Sequence, residues 1–349
     1  MKYPGRETVN LVGMTSVEIE NVVSELGEPQ YRARQIYASV YRRLWRDWDR
    51  FTDLGKPLRE KLRARFSIDY PAVNQTFVSR DGTRRYLFDV GPGRRIEAVF
   101  IPEGSRDTLC VSTQVGCAMG CLFCATGRLP MLRNLSAGEI VGQVMALEAD
   151  RGVQAKRLNI VIMGMGEPFN NYENVMSALR LMTCNKGMSI SPRRITLSTA
   201  GIVPGIERLA LEPVQPNLAI SLNAATDAVR DRLMPVNRKW NIAALLDACR
   251  RFPLAERRRI TFEYVLIDGV NDSDEDARRL VRLLGNLRHK VNLIPLNAAD
   301  PSLAFKPPAP ERVEAFAQTL AEHYVTASVR RPRGEDIAAA CGMLAAREI

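Results

Sequence analysis

Three cysteines in a short run are the residues best suited to chemistry in this sequence. Cys117, Cys121 and Cys124 are spaced C-x3-C-x2-C on a glycine-containing segment, so their thiolates can all face one point. A [4Fe–4S] cluster usually takes four cysteine ligands. With three, one iron keeps an open position where S-adenosylmethionine can chelate, be reduced and release a carbon radical. The spacing therefore predicts a radical-generating iron–sulfur site.

A structural zinc site is the alternative interpretation of the same run, with Cys110 as the fourth ligand. Structural zinc favours paired cysteine knuckles with a second Cys or His pair some distance away. The chain has two histidines, His289 and His323, and they belong to no such pair. The sequence therefore favours an iron–sulfur cluster over zinc.

The composition is that of a basic globular protein. Of the 349 residues, 46% are hydrophobic and 25% are charged, which is ordinary for a chain with ample core. The formal net charge of +10 suits a polyanionic partner such as nucleic acid. We see no apolar signal segment and no run near the ~18 apolar residues of a membrane span. Because at least three of the seven cysteines are needed as reduced thiolates, we expect a cytoplasmic protein.

Residues 1–70 are predicted to form a small, basic helical domain. Thr15 and Glu18 have the spacing of a capping box, and apolar residues continue at helical spacing across 31–51. Residues 31–66 contain eleven Lys or Arg and four Asp or Glu, a net charge of +7 (11 − 4). Tyrosine and tryptophan interleave with these charges, so we expect aromatic residues inside and an arginine-rich surface that contacts RNA. A helical domain whose aromatics serve only as core is the alternative.

Residues 71–106 change to the alternating period of β-strands and are predicted to form a short β-meander linker. Glycine-containing turns at 81–82 and 91–93 separate its strands. Glu97 shares one strand face with aliphatic residues. Such a glutamate is most often a solvated edge residue, but burial towards an active site would raise its pKa and make it a candidate base.

Residues 107–330 alternate apolar strands with helices, which predicts an α/β fold with a parallel sheet that either curls as a partial (β/α)6 barrel or stays open. The candidate strands are 108–112, 158–163, 194–198, 217–222, 260–266 and 291–295. Ligands bind at the carboxyl ends of such strands, where glycine, carboxylate, hydroxyl and amide groups can hold a polar molecule. The residues at these ends are Gly166, Glu167, Ser198, Ser221, Leu222, Asn223 and Asn297.

The tail, residues 331–349, carries one further cysteine of interest. Cys341 lies among small residues, between a basic patch and Gly342, as a presented thiol would. A buried cysteine without a role is the alternative. Cys184 and Cys249 lie on apolar helical stripes, and we expect them to be buried and structural.

The cysteine run, with Phe123 just before its last cysteine, resembles the signature of the radical S-adenosylmethionine superfamily. The longer stretch 110–143 and the Ala-Cys-Gly at 340–342 resemble one family in particular, the dual-specificity adenine carbon-2 methyltransferases of 23S rRNA and transfer RNA. The resemblance covers nearly the whole chain. It implies a [4Fe–4S] cluster on the three cysteines, two S-adenosylmethionine molecules per turnover, and a radical S-adenosylmethionine partial barrel.

The family's functional positions carry over residue by residue. Glu97 lies thirteen residues before Cys110, at the position of the family's proton acceptor. Gly166 and Glu167 correspond to the pair that grips the amino-acid end of S-adenosylmethionine. The remaining positions of its binding site are Ser198, Ser221, Leu222, Asn223 and Asn297. Asn223 is a departure, since the family often has His there.

The resemblance also implies a division of labour between two further cysteines. Carbon 2 of adenine lies between two ring nitrogens and is electron-poor, so a carbon radical can add where polar methylation fails. One S-adenosylmethionine methylates Cys341, and a second gives a 5′-deoxyadenosyl radical that takes a hydrogen atom from that methyl group. The methylene radical adds to adenine, Glu97 removes the ring proton, and Cys110 attacks the sulfur of Cys341 to free the product.

Such an enzyme would take an adenosine splayed from its stack through an electropositive entrance. The resemblance further implies the peptidyl-transferase centre of 23S rRNA and the anticodon loop of transfer RNA as substrates. It implies an external electron donor such as flavodoxin or ferredoxin, and we expect a monomer.

Three alternatives stay open. The sister family methylates carbon 8 of the same adenosine and shares both extra cysteines, although Pro168 favours carbon 2 because the sister motif ends in alanine. A glycyl-radical activating enzyme would act on a protein, but leaves Cys341 and the basic N-terminal segment unexplained. A non-enzymatic, metal-stabilised RNA-binding protein is the third.

Overall fold

The computed structural model describes residues 8–104, 107–152, 157–297 and 305–346. Within these ranges, no helix has the length and apolar character needed to cross a membrane. The strands, in chain order, are β1 (Val9–Asn10), β2 (Phe66–Ser67), β3 (Ala72–Val78), β4 (Arg84–Asp89), β5 (Arg95–Ile101), β6 (Thr108–Cys110), β7 (Gln114–Val115), β8 (Arg133–Asn134), β9 (Asn159–Ile162), β10 (Ile195–Thr199), β11 (Asn217–Ser221), β12 (Ile260–Leu266), β13 (His289–Pro295) and β14 (Ala327–Val329). The α-helices are α1 (Ser16–Glu25), α2 (Tyr31–Tyr41), α3 (Lys56–Arg65), α4 (Ala137–Arg151), α5 (Tyr172–Thr183), α6 (Val203–Ala210), α7 (Asp227–Leu233), α8 (Ile242–Arg251), α9 (Asp274–Leu284) and α10 (Pro310–Glu322).

The strands β6, β9, β10, β11, β12 and β13 lie side by side in this order, all parallel. Helices α4 to α9 connect them, so the predicted partial (β/α)6 barrel is confirmed, with strand ends within two residues of the predicted ones. Apolar residues such as Leu109, Ile160, Leu197, Ile220 and Phe262 are fully buried in it. Near-continuous apolar strands are expected where helices cover a parallel sheet.

The barrel sheet continues at both edges. On one edge β5 pairs antiparallel with β6, and β4 and β3 follow, so the predicted β-meander is part of the same ten-stranded sheet. On the other edge β14 adds a further parallel strand beside β13, which the sequence did not predict. The predicted domain limits stay predictions, and residues 105–106 and 347–349 lie outside the described residues.

The N-terminal segment forms the predicted helices around an aromatic core. Thr15 and Glu18 make the predicted capping box of α1. The expected helix over 31–51 is too long, because α2 ends at Tyr41 and Leu44 adopts a positive φ of 54°. The chain turns there so that the Trp45 ring packs edge-on against Phe51. Most of the basic side chains of this segment point to solvent, as expected.

The tail folds back over the β-meander. Asp336 accepts hydrogen bonds from the Ser79 hydroxyl at 2.6 Å and from the Arg80 backbone N–H at 3.2 Å. The backbone N–H of Gly334 donates to the Asp81 carboxylate at 3.1 Å. These contacts fix the tail just before the segment that carries Cys341.

Candidate active site

The three cysteines of the C-x3-C-x2-C run lie on the loop between β7 and β8, which pair with each other antiparallel. The two ends of this loop lie close together. Gly116 has φ of +79°, and a Cβ there would lie 2.0 Å from the Pro130 carbonyl oxygen, so only glycine fits. The loop therefore projects its thiols from a fixed base at the barrel mouth.

The thiols of this loop line a cavity at the carboxyl ends of the barrel strands, here called the cluster cavity, with a volume of about 170 Å³. The structure brings most of the predicted site residues together on its wall. They are Cys117, Cys121, Cys124, Gly166, Glu167, Ser198, Ser221, Asn223, Asn297 and Cys341. Leu222 lies behind the wall, fully buried, and its carbonyl accepts a hydrogen bond from Arg230 Nε at 3.0 Å.

Gly166 and Glu167 form a rigid part of this wall. Gly166 has φ of +101°, and a Cβ there would lie 2.6 Å from Cβ of Gln114. The Glu167 carboxylate accepts backbone N–H bonds from Ala200 at 2.7 Å and from Phe169 at 3.1 Å. Burial raises the pKa of this carboxyl to about 7. A fixed, buried carboxylate of this kind is suited to hold an ammonium group, which would restore its ionised form.

The side chain of Asn223 is engaged in contacts with neighbouring protein groups. Its φ is +56°, a conformation that asparagine tolerates better than most residues. Its Oδ1 accepts the Val265 backbone N–H at 2.9 Å, and its Nδ2 contacts Met234 Sδ at 3.3 Å. Asn223 therefore shapes the cluster cavity through the turn that it holds.

A second cavity of about 400 Å³ adjoins the first and is here called the thiol cavity, because both Cys110 and Cys341 line it. Cys341 lines the cluster cavity as well, so this residue lies where the two cavities meet. Cys341 is exposed, as predicted for a presented thiol, whereas Cys110 is 9% exposed. Burial raises the pKa of the Cys110 thiol to about 12. Desolvation by the surrounding protein also raises the pKa of the Cys341 thiol, and Arg330 opposes this through its charge and a hydrogen bond.

The backbone around Cys341 is held from two sides. Asn297 Nδ2 donates to the Cys341 carbonyl at 2.9 Å, which ties the tail to the end of β13. The Ala125 backbone N–H donates to the Gly342 carbonyl at 2.7 Å, which ties it to the cysteine loop. The position of the thiol is therefore set by the barrel and by the cysteine loop together.

Glu97 lies under the tail and is fully buried. Of the two interpretations of this residue, burial is therefore confirmed and a solvated edge residue is wrong. It forms an ion pair with Arg85 and accepts the Ala345 backbone N–H at 2.9 Å. Burial raises the pKa of its carboxyl, and Arg85 opposes this. Its neighbour on the same face, Val99, pairs with Cys110 across β5 and β6. Glu97 therefore lies close to the thiol cavity, and its role as a base stays a prediction that requires the tail to move.

The cysteine thiols fit an iron–sulfur cluster. Among the described residues, no three His, Cys, Asp or Glu side chains converge on one ion. A single zinc ion holds every thiolate at about 2.3 Å, whereas a cluster binds each thiolate at a different iron. All three cysteines are free thiols on one cavity wall, and burial raises the pKa of Cys117 to about 11. Such thiols ionise when a metal supplies positive charge.

Two charged residues on these walls had no role in the sequence interpretation. Glu263 lines the cluster cavity and Arg330 the thiol cavity. Glu263 was detectable in principle, because it is a carboxylate in the middle of the apolar strand β12. Arg330 belongs to the basic patch before Cys341, but arginines are frequent throughout the chain, so the sequence did not place it on a cavity wall.

Comparison with known proteins places this site in a family. Residues 9–68 match the ribosomal RNA large subunit methyltransferase N-terminal domain, and residues 111–281 match the radical SAM superfamily. The chain is 51% identical over 354 residues to "Dual-specificity RNA methyltransferase RlmN 2" of Myxococcus xanthus, covering 99% of this chain and 93% of that protein. It is 48% identical to "Dual-specificity RNA methyltransferase RlmN" of Geobacter sulfurreducens, covering 96% and 92%.

A solved structure agrees with this assignment. The crystal structure of a radical SAM methyltransferase from Sphaerobacter thermophilus matches with a TM-score of 0.92 at 47% identity, covering 97% of this chain and 100% of that one. Members of this superfamily use a [4Fe–4S] cluster and S-adenosylmethionine, for which the cluster cavity has the residues. The chain belongs to the RlmN family of radical S-adenosylmethionine RNA methyltransferases.

Proposed function

We propose that this enzyme methylates carbon 2 of an adenosine in the peptidyl-transferase centre of 23S rRNA and of an adenosine in the transfer RNA anticodon loop, with Cys341 as methyl carrier. The observation that carries the proposal is the position of Cys341, which lines both the cluster cavity and the thiol cavity. A carrier must face the place where it is loaded and the place where it is unloaded. The matched relatives are named dual-specificity RNA methyltransferases, which supports two RNA substrates.

The residues of this chain divide the work as follows. When bound, the cluster and S-adenosylmethionine supply a methyl group and a radical that removes one hydrogen atom. Cys341 takes the methyl group as its thiolate and, after hydrogen removal, presents a methylene carbon that bonds to carbon 2. Glu97 accepts the ring proton once the tail has moved away from its carboxylate. The one unpaired electron that the addition leaves on the ring would return to the cluster, when bound.

Cys110 completes the turnover. Its thiolate attacks the sulfur of Cys341, so that a disulfide forms while the bond from sulfur to the methylene carbon breaks. The electron pair of that bond passes to the product, whose carbon takes a proton and becomes a methyl group. The disulfide then needs reduction by a thiol before the next cycle. An external donor such as flavodoxin or ferredoxin supplies electrons to the cluster, and the protein works as a cytoplasmic monomer.

The charge around the thiol cavity supports an RNA substrate. Arg330, Arg331 and Arg333 line this cavity together with the two thiols. Guanidinium groups there can neutralise phosphates on either side of an adenosine that has left its stack. The basic surface of the N-terminal helices provides further phosphate contacts, in the segment that matches the methyltransferase N-terminal domain.

The alternatives differ in what they leave unused. Pro168, directly after Gly166 and Glu167, supports carbon 2 over carbon 8 on the resemblance of that motif. A glycyl-radical activating enzyme would have no use for two facing thiols, or for arginines around them. An RNA-binding protein without catalysis would use the arginines but would have no use for the two thiols.

Nucleoside mass spectrometry tests the proposal. The protein, with its cluster reconstituted anaerobically, is incubated with S-adenosylmethionine, a reductant and either a 23S rRNA fragment or transfer RNA. We expect 2-methyladenosine from both RNAs, and none from the Cys341→Ala variant. A product methylated at carbon 8 would assign the protein to the sister activity, and absence of any methylated adenosine would overturn the proposal.

A further inference from the structure

A row of polar residues crosses the inner face of the barrel. Ser221 of β11 is in register with Glu263 of β12, Glu263 with Asn292 of β13, and Asn292 with Ser328 of β14. Residues paired in this way in a parallel sheet share one face, so the four side chains form one layer. Glu263 is 5% exposed and Asn292 is 7% exposed, so the middle of the layer is buried.

Hydrogen bonds give this layer a direction. The Ser328 hydroxyl donates to Asn292 Oδ1 at 2.7 Å, and Asn292 Nδ2 donates to Glu263 Oε1 at 3.0 Å. Both donors therefore point towards the carboxylate. This row of hydrogen bonds starts at the thiol cavity, which Ser328 lines, and ends at the cluster cavity, which Glu263 lines.

The other oxygen of the carboxylate is left without a partner. Glu263 Oε2 is buried and has no hydrogen bond within the described part of the chain. Asn297 Oδ1 on the same wall is also buried without a hydrogen bond in the described part of the chain, while Nδ2 of Asn297 donates to the Cys341 carbonyl. An unpaired buried acceptor costs about 1–3 kcal/mol, more when it is charged. Two such acceptors on one cavity indicate a ligand that presents hydrogen-bond donors.

S-adenosylmethionine offers three sets of donors, namely its ammonium group, its two ribose hydroxyls and its adenine amine. The ammonium group is matched by Glu167, which lies on another part of the wall. Ser221 stands in register beside Glu263, so a hydroxyl and a carboxylate lie next to each other. A carboxylate that accepts from ribose hydroxyls is a recurrent arrangement in nucleotide sites. Burial raises the pKa of the Glu263 carboxyl, and the charge of Arg330, the hydrogen bond from Asn292 and the charge of Lys290 oppose this.

We propose that Glu263 binds the ribose hydroxyls of S-adenosylmethionine through Oε2, and that Asn292 and Ser328 are positioning residues that hold the carboxylate in place. The inference rests on the cofactor, which family membership gives, and is independent of which carbon of adenine is methylated. It assigns a ribose contact to a residue in the middle of a strand, whereas the other predicted contacts lie at strand ends.

The test is a binding measurement on cluster-loaded protein by anaerobic equilibrium dialysis with labelled S-adenosylmethionine. Loss of a hydrogen bond to a charged group predicts roughly 10- to 100-fold weaker binding for Glu263→Gln. The 2′-deoxy or the 3′-deoxy analogue should bind the wild-type protein with a similar loss, and should bind Glu263→Gln no more weakly than wild type. Unchanged binding of S-adenosylmethionine by Glu263→Gln would overturn the proposal. The proposal would also be overturned if wild type and Glu263→Gln differed in affinity for both deoxy analogues and had equal affinity only for an analogue that lacks the adenine amine.

Two further variants separate this role from folding. Thr261 lies two residues before Glu263 in β12, on the same face of the strand. Thr261→Val should leave the affinity for S-adenosylmethionine unchanged. Ser328 is exposed, and Ser328→Ala removes the hydroxyl that donates to Asn292. This variant should bind S-adenosylmethionine about two- to fivefold more weakly than wild type. Its affinity for the deoxy analogue that the wild-type protein binds weakly should equal that of wild type. If Glu263→Gln loses its iron, Ser328→Ala decides, and equal affinity to wild type contradicts the proposal. The RNA product of the wild-type enzyme is identified separately by nucleoside analysis, so a failure of this proposal is distinguishable from a failure of the proposed methylation.

Discussion

The backbone N–H of Ala125, next to the last cysteine of the run, donates a hydrogen bond of 2.7 Å to the carbonyl of Gly342, next to Cys341. The Thr126 hydroxyl continues this link by donating to the Leu344 carbonyl at 2.5 Å, across 218 residues of sequence. One backbone contact and one hydroxyl contact thus set the position of the tail around Cys341 relative to the cysteine loop. Because both partners lie on tightly bonded segments, the position of Cys341 relative to the cysteine loop is a property of the fold.

Removal of one loop cysteine should remove the cluster and leave the fold. Cys121→Ala takes away one of three ligands, so we expect the iron content after anaerobic reconstitution to fall well below about half of the wild-type value. Cys184→Ala is the matched control, since Cys184 lies outside both cavities and is a half-buried residue at the end of α5. Equal iron content in Cys121→Ala and Cys184→Ala would contradict the assignment of the ligands.

Loss of Cys110 should trap the enzyme on its substrate. Without the thiol that attacks the sulfur of Cys341, the bond between Cys341 and the RNA cannot be broken. Cys110→Ala should therefore accumulate a covalent RNA–protein adduct under turnover, seen as a shifted band in a denaturing gel that ribonuclease removes. The double variant Cys110→Ala/Cys341→Ala should form none. An adduct that persists in the double variant would place the attachment elsewhere.

The stability of the protein without S-adenosylmethionine should fall as pH rises towards neutrality. Burial raises the pKa of Glu167 from 4.5 to about 7. Between these values the folded chain holds a proton that the unfolded chain has released, so this stabilisation is complete below about 4.5 and lost as pH rises through about 7. The difference corresponds to about 3 kcal/mol for this carboxyl. Urea unfolding at pH 5 and pH 7.5 measures most of this difference.

Variants of glutamate identify the group responsible. Glu167→Gln should remove this part of the pH dependence, whereas Glu314→Gln, on the exposed face of α10, should retain it. A bound ammonium group needs the ionised carboxylate, so the affinity for S-adenosylmethionine should rise over the same pH range in the wild-type protein. An affinity independent of pH would argue against Glu167 as its partner.

Gly166 should tolerate no side chain. Gly166→Ala would put Cβ 2.6 Å from Cβ of Gln114, at a positive φ of +101°. Gly91→Ala has a similar φ of +116° with open space around it, so it reports the cost of the backbone alone. We expect Gly166→Ala to lose about 1–3 kcal/mol more in the free energy of unfolding than Gly91→Ala, and to bind S-adenosylmethionine more weakly. Equal losses would mean that Gln114 moves aside freely.

The local and periodic parts of this site could be predicted from the sequence. The three loop cysteines are close in the chain, so their spacing alone indicates a cluster. The polar residues at strand ends follow from parallel topology, because all carboxyl ends meet at one side of the barrel. Ser198, Ser221 and Asn297 therefore reach one cavity even though they are far apart in sequence.

The rest depends on register and packing, which the sequence does not display. Glu263 and Asn292 are 29 residues apart, and they meet only because β12 and β13 pair in one particular register. The strand β14 has three residues and is mostly exposed, so it carries no apolar run to reveal it. The end of α2 at Tyr41 has no glycine or proline to mark it, and depends on where Trp45 packs.

In the proposed reaction Cys341 is the source of the transferred carbon, and an isotope measurement tests this directly. Protein whose Cys341 carries a trideuterated methyl group is mixed with unlabelled S-adenosylmethionine, a reductant and RNA, and a single turnover is analysed by nucleoside mass spectrometry. One deuterium leaves with the abstracted atom and one solvent proton enters on release, so the account predicts 2-methyladenosine whose methyl group has two deuterium atoms. A first-turnover product without deuterium would show that the methyl group never passed through Cys341.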